Sequence, residues 1–217
     1  NNYGVSKVKT KNALILNPDT NIDKKNINNL IKTSNKIKDF GIVFPRLNNK
    51  KTEKFFKKKQ SFIKIDYKFV GNDIVSGCGM MINVKIIKKI GLFDKNIFLY
   101  KEETDLIKRC SDNSIKCYVL KNAKITHFGS KSHHKKINLE AEIFRNWHWM
   151  WSNFYFYKKH FGFFYAISKL IKKVISSFIK MNFYYFINYN KSKIYNARFN
   201  GLISSILNRK SDYRMNI

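Results

Sequence analysis

Apolar positions along this chain alternate between short continuous runs and helical spacing. Ala13-Leu14-Ile15-Leu16 is a continuous run, the pattern of a strand buried on both faces as in parallel sheets. Asn17-Pro18-Asp19 ends it, because proline cannot continue a central ladder. Asp23 then predicts an N-cap for a helix carrying Ile27, Leu30, Ile31 and Ile37 at helical spacing. Gly41-Ile42-Val43-Phe44-Pro45 reads as a second strand cut off by its proline. Strand, helix and strand in this order predict a βαβ unit and an α/β sheet.

Residues 48–68, rich in lysine with interspersed Phe and Ile, read as a loop or weak hairpin. Val75 to Ile82 reads as a strand opened by Gly77 and Gly79, where the backbone comes close to a ligand or bulges within the core. Val84 to Ile90 predicts a short helix closed by Gly91. Phe93-Asp94 and Ile97-Phe98-Leu99-Tyr100 lead into Glu102, Glu103 and Asp105, which occupy the first turn of the next predicted helix. Cys117 to Leu120 and Ala123 to His127 are read as two further strands joined by Lys121-Asn122.

The pattern changes near residue 138, which divides the chain into an α/β domain over 1–137 and a basic, aromatic-rich helical tail over 138–217. From Ile143 onward there are thirteen Lys and Arg against a single acid, Asp212. Ile167, Leu170, Ile171, Val174, Ile175, Phe178 and Ile179 repeat as on an amphipathic helix. Lys169, Lys172, Lys173 and Lys180 cut every apolar stretch well short of the ~18 residues a membrane-spanning helix needs. A basic amphipathic helix among aromatics reads as lying in a membrane interface, against the alternative of packing on the core.

Composition sharpens this picture in two ways. A hydrophobic share of 44% and an aromatic share of 16% exclude a disordered chain. The formal charge of +29 reads either as an electrostatic footprint for nucleic acid or an anionic membrane, or as coding bias that inflates Lys, Asn, Ile, Phe and Tyr together. In both cases it leaves a real field. Only six of the 43 basic residues are arginine, which weighs against sequence-specific nucleic-acid reading and toward an anionic membrane surface. The three cysteines form no C-x-x-C pair and read as reduced thiols. With no secretory h-region at the chain's start, the expected location is cytoplasmic, peripheral on the inner face of the cell membrane.

Against this basic background the 14 acidic residues gather in telling places. Asp19 stands at a strand end, and Glu102, Glu103 and Asp105 at a helix start; carboxylates so placed suit holding a divalent cation and removing a proton. Each alone reads equally as a turn residue or a helix cap.

Asn17-Pro18-Asp19, Gly77-Cys78-Gly79-Met80-Met81, Gly91-Leu92-Phe93-Asp94, Glu102-Glu103-Thr104-Asp105-Leu106 with Arg109, and His127-Phe128-Gly129-Ser130 follow one another in that order. The set resembles family 2 glycosyltransferases of the GT-A fold, particularly the rhamnosyltransferase-like branch that builds surface polysaccharides. The resemblance runs to about His134 and implies a Rossmann-like, mixed and mostly parallel sheet flanked by helices, part of a GT-A fold.

It also implies roles. Asp19 matches the last carboxylate of a D-x-D-type motif that binds Mg²⁺ or Mn²⁺ on the donor diphosphate, with Asn17 where many relatives have the first Asp. Glu103 matches the base that takes a proton from the acceptor hydroxyl; because relatives often carry Asp there, Glu102 and Asp105 stay open as alternatives. Gly77, Cys78, Gly79 and Met80 would line the acceptor side with Asp94 and Arg109 nearby. His127 matches a position that helps hold the metal or diphosphate, while His133 and His134 read as surface residues. The implied reaction is inverting transfer from a nucleotide-sugar donor to a glycan or lipid-linked acceptor. The competing reading is a non-enzymatic basic protein that binds nucleic acid or an anionic membrane. Enzymes of this type begin with a strand–loop–helix that holds the nucleotide, upstream of the first motif seen here, so these residues alone are expected to bind nucleotide-sugars poorly.

Overall fold

The computed structural model describes residues 1–37, 39–57, 59, 61–70, 74–128 and 138–215. Gly129, Ser130, His133 and His134 lie outside the described residues. The chain divides into two compact units, one of Asn1–Asp94 with Glu103–Ser132 and one of Lys95–Glu102 with His133–Ile217.

The first unit is α/β. Its elements are α1 (Asn2–Lys7), β1 (Asn12–Leu16), β2 (Thr20–Asn21), α2 (Lys24–Lys36), β3 (Phe40–Leu47), α3 (Lys50–Phe56), β4 (Phe62–Ile65), β5 (Gly79–Asn83), α4 (Val84–Lys89), α5 (Glu102–Asp112) and β6 (Lys116–His127). The six strands form one mixed sheet in the order β1-β5-β3-β6-β2, with β4 also on β6. Side chains alternate across it. Ile42, Phe44, Met80, Ile82, Cys117 and Val119 face Ile87 of α4 and Leu106, Ile107 and Cys110 of α5. Phe40, Val43, Met81, Tyr118 and Leu120 face Leu30 of α2 on the other side. Burying each such large side chain contributes about 1.5–3 kcal/mol. Helices on both faces therefore sandwich the sheet.

Several expectations need correction. The sheet is not mostly parallel: only β3 and β6 run parallel, whereas β1–β5, β3–β5, β4–β6 and β2–β6 are antiparallel. A continuous apolar run reports burial on both faces and is silent on direction, as fully buried β5 shows. β1 is a half-buried edge strand, not a central one. β3 runs through Pro45, because its ladder to β5 involves only Ile42 and Val43 and Pro45 lies beyond it. The two strands read over 117–127 are one strand. Lys121–Ala123 form an irregularity opposite Pro45/Arg46, and its carbonyls are satisfied by Arg46 Nε on Lys121 (2.9 Å) and Asn29 Nδ2 on Asn122 (2.7 Å). Residues 48–68 hold α3 and β4 in place of a loop, with Asn49 capping α3 by accepting from the Thr52 amide. The Asp23 cap is present, its carboxylate accepting from the Asn26 amide at 2.7 Å.

The second unit is helical. It contains α6 (Asn138–Phe161), α7 (Phe163–Ile187) and α8 (Tyr189–Ile206), so the expected single amphipathic tail is a bundle of three helices. Met150, Phe154, Ala166, Leu170 and Leu202 form one of its cores and Ile143, Trp147, Trp151 and Ala197 the other. A Cβ on Gly201 would collide with the Trp147 backbone, so α6 and α8 approach closely only because that side chain is absent. α7 carries two apolar sides with a lysine and serine stripe between them. One side buries Ala166 and Leu170, and the other exposes Phe164, Ile171, Ile175, Phe178, Ile179 and Phe186. Among the described residues no helix is long and apolar enough to cross a membrane.

His148 is fully buried in this unit. Its Nε2 lies 3.0 Å from the Tyr213 carbonyl, which can only accept, so Nε2 carries the proton and Nδ1 accepts from the Ser211 hydroxyl at 2.9 Å. Burial, reinforced by Arg214 and opposed by the Tyr213 carbonyl and Asp212, holds its pKa below the usual histidine value. The unfolded chain therefore takes up the proton first as pH falls, so this stabilisation is present above the ordinary value of about 6.5 and is lost on acidification through it. Denaturant unfolding from about pH 7 to about pH 5 should show the parent losing more stability than His148→Gln. Equal slopes would contradict this assignment.

Candidate functional site

β2 is only two residues long, yet it organises the site. Thr20 and Asn21 pair with His127 and Thr126 at the end of β6, and the Phe128 amide donates to the Asp19 carbonyl at 3.0 Å. The Thr20 hydroxyl closes the turn by donating to the Asn17 carbonyl at 2.6 Å. These bonds bring Asp19 Oδ2 to 3.1 Å from His127 Nε2. Both side chains keep about a third of their surface in solvent, 29% and 33%.

The same turn meets the segment ahead of β5. The Asn17 amide donates to the Cys78 carbonyl at 2.9 Å, and the Cys78 amide donates to Ser76 Oγ at 3.3 Å. On the neighbouring residue, a Cβ on Gly77 would lie 2.8 Å from Cδ of Glu103 and about as close to both its carboxylate oxygens. Gly77 is thus glycine because the Glu103 carboxylate rests on its backbone.

Cys78 reports on both acids. Burial pushes its thiol pKa up; the Ser76 hydroxyl and backbone hydrogen bonding pull it down, while the charges of Asp19 and of Glu103 push it further up. The two acidic spots, 84 positions apart in the chain, thus adjoin neighbouring residues, Asp19 through the Asn17–Cys78 bond and Glu103 at Gly77.

The remaining candidates are placed differently. Asp105 is fully buried and accepts from Arg109 Nε at 2.8 Å. Arg109 also donates to the carbonyls of Ile90 (3.1 Å), Gly91 (2.6 Å) and Leu92 (2.7 Å). This pair clamps the turn at Gly91, where φ is +83°, and so fixes the loop that leads to half-buried Asp94. Asn2 completes that loop by bonding both the amide and the carbonyl of Phe93. Met80 is a core residue, and a Cβ on Gly79 would strike Ile125, so both serve packing where the sequence suggested an acceptor wall. Glu102 opens α5 and falls within the second unit. Just before it, Tyr100 and Lys101 adopt left-handed backbone with φ of 66° and 72°, a strained turn for non-glycine residues.

Sequence reasoning missed the β2 rung, because two residues are too few for a hydrophobic pattern. It also missed a polar cavity of about 530 Å³ beside that rung, lined by Asn21, Asn26, Asn29, Asn48 and Lys124 among others. Asparagines reading out hydrogen bonds leave no motif in the sequence. Among the described residues, no group of three or more His, Cys, Asp or Glu gathers as a metal site. Asp19 and His127 present one carboxylate and one imidazole, hydrogen-bonded to each other; the carboxylate is the oxygen ligand of the pair that suits a hard cation. No family model matches the chain, and no curated protein matches it in sequence.

The Arg109–Asp105 clamp makes a direct prediction. Arg109→Ala leaves a buried carboxylate without its cation and should cost about 3–5 kcal/mol. Urea unfolding of the variant measures this, and a loss near zero would show that the pair does not hold the loop.

Proposed function

We propose that this chain acts in inverting sugar transfer of the GT-A kind, from a nucleotide-sugar to a hydroxyl on a glycan or lipid-linked acceptor, in surface polysaccharide biosynthesis. The observation that carries the reading is that the turn holding Asp19 bonds the Cys78 carbonyl through the Asn17 amide, next to Gly77 on which the Glu103 carboxylate rests. A transferase of this chemistry needs one acid at the departing diphosphate and one at the incoming alcohol, and chance would rarely bring them together in so basic a chain.

In this reading Glu103 accepts the acceptor's proton as that oxygen attacks the anomeric carbon and the bond to the diphosphate breaks. Asp19 and His127 would hold Mg²⁺ or Mn²⁺, which supplies positive charge against the leaving diphosphate. Asp105, Arg109, Gly79 and Met80 position the site without touching substrate. The polar cavity beside β2, lined by Lys25 and Lys124 as well as asparagines that bond one another's segments, gives room for a sugar or nucleotide.

The exposed face of α7, with lysines along its margin, supports docking on an anionic membrane surface, which fits peripheral association at the inner face of the membrane and a lipid-linked acceptor. That same face also favours the second reading, a basic membrane-binding protein without chemistry.

Asp19→Ala and Glu103→Gln are each expected to lower transfer by about 100-fold or more, with vesicle co-sedimentation unchanged. Transfer that survives both substitutions would refute the catalytic assignment. Membrane binding with no transfer by the parent would leave the non-enzymatic reading standing.

A further inference from the structure

The helical unit holds a cavity of about 620 Å³ for which the sugar-transfer proposal has no use. Arg145 enters it from α6, Lys172, Lys173 and Lys180 from α7, and Arg198 from α8. Lys173 and Lys180 are seven positions apart and share a helix face, while the small Ser176 and Ser177 between them leave the space open. Glu142 is the single acid in the lining.

The cationic heads are arranged by aromatic faces and an amide. Lys173 Nζ sits 4.3 Å from the centre of the Trp149 ring. Lys180 and Arg198 approach the Tyr195 ring at 5.3 and 5.2 Å, and Arg198 Nε donates to Asn146 Oδ1 at 2.7 Å. Five cations lining one cavity against a single acid repel one another. Burial, then the neighbouring Arg198 charge, holds the Lys173 ammonium below the usual lysine range. An anion bearing two or more charges would remove that penalty and accept hydrogen bonds from the guanidinium and serine groups.

We propose that this cavity is a binding site for a phosphate or diphosphate group, carried by a soluble molecule or by a lipid headgroup. Its volume leaves room for an organic portion against Trp149 and Tyr195. The headgroup source draws on α7, which carries three of the cations and also the exposed Ile171, Ile175 and Ile179. The site stands independently of sugar transfer and is read by binding alone.

Calorimetric titration of the full chain with inorganic pyrophosphate at constant ionic strength should show saturable binding. Lys173→Gln and Arg198→Gln should each weaken it about tenfold or more, the loss of one charge-assisted hydrogen bond. Lys32→Gln, which removes the same charge from the exposed side of α2, should leave it unchanged. Because Arg198 also bonds Asn146, its variant is paired with an unfolding measurement, and Lys173→Gln carries the decision if that variant is unstable. In a second arm, phosphatidylcholine vesicles with and without phosphatidic acid are co-sedimented with the protein. Pyrophosphate-competed binding to the phosphatidic acid vesicles identifies a headgroup, and pyrophosphate binding without it identifies a soluble ligand. No saturable pyrophosphate binding, whatever the protein does with RNA, overturns the proposal. Equal weakening by all three substitutions overturns it as well, since the general field of the chain would then explain the binding.

Discussion

β6 has to satisfy hydrogen-bonding partners along twelve residues, and the arrangement of the first unit follows from how it does so. β3 lies along it from Lys116 to Ile125, β4 pairs with Cys117–Leu120, and β2 takes its last two residues. Its register with β3 shifts at Lys121–Ala123, where Arg46 and Asn29 take the carbonyls left over. Without that irregularity, every residue beyond it would change its register and face against β3. The β2 rung would then lose Thr126 and His127 as partners. The Asp19–His127 contact, 108 positions apart, is thus a consequence of strand pairing.

A second constraint holds the opposite wall. Asp105 is fully buried, and Arg109 supplies its counter-charge while anchoring three consecutive carbonyls. The acidic run of α5 therefore splits by role. Asp105 turns inward to structure, and Glu103, two positions earlier, lies over Gly77 toward Cys78. The helix geometry that separates them by about 200° makes this division unavoidable.

Much of this was legible in the residues themselves. The Asp23 cap, the Gly91 turn and the apolar periodicity of α7 follow from local chemistry, and local chemistry is what a sequence displays. Strand direction was not legible, because β5 is buried on both faces and reads the same in either orientation. Lys121-Asn122 looked like a turn because polar residues in a bulge resemble those of a loop; only Arg46 and Asn29, distant in sequence, reveal the difference. In the helical unit the cationic cavity was equally hidden. Its lysines read as the basic side of a membrane-interface helix until α6 and α8 supply Trp149, Tyr195 and two arginines. Of the candidate site, Asp19 meets His127 and Glu103 meets Gly77, whereas Gly79, Met80, Asp105 and Arg109 have packing and support contacts.

The central claim is that the turn carrying Asp19 and the Glu103 carboxylate adjoin at Gly77-Cys78, close enough for both charges to raise the Cys78 thiol pKa. Carbon-13 labelling of cysteine, with the Cys78 signal assigned through Cys78→Ser, follows that thiol's titration directly. Neutralising either acid, by Asp19→Asn or Glu103→Gln, should lower the thiol pKa, and neutralising both should lower it further. A titration that moves with one substitution and ignores the other would place the two carboxylates apart and contradict the account.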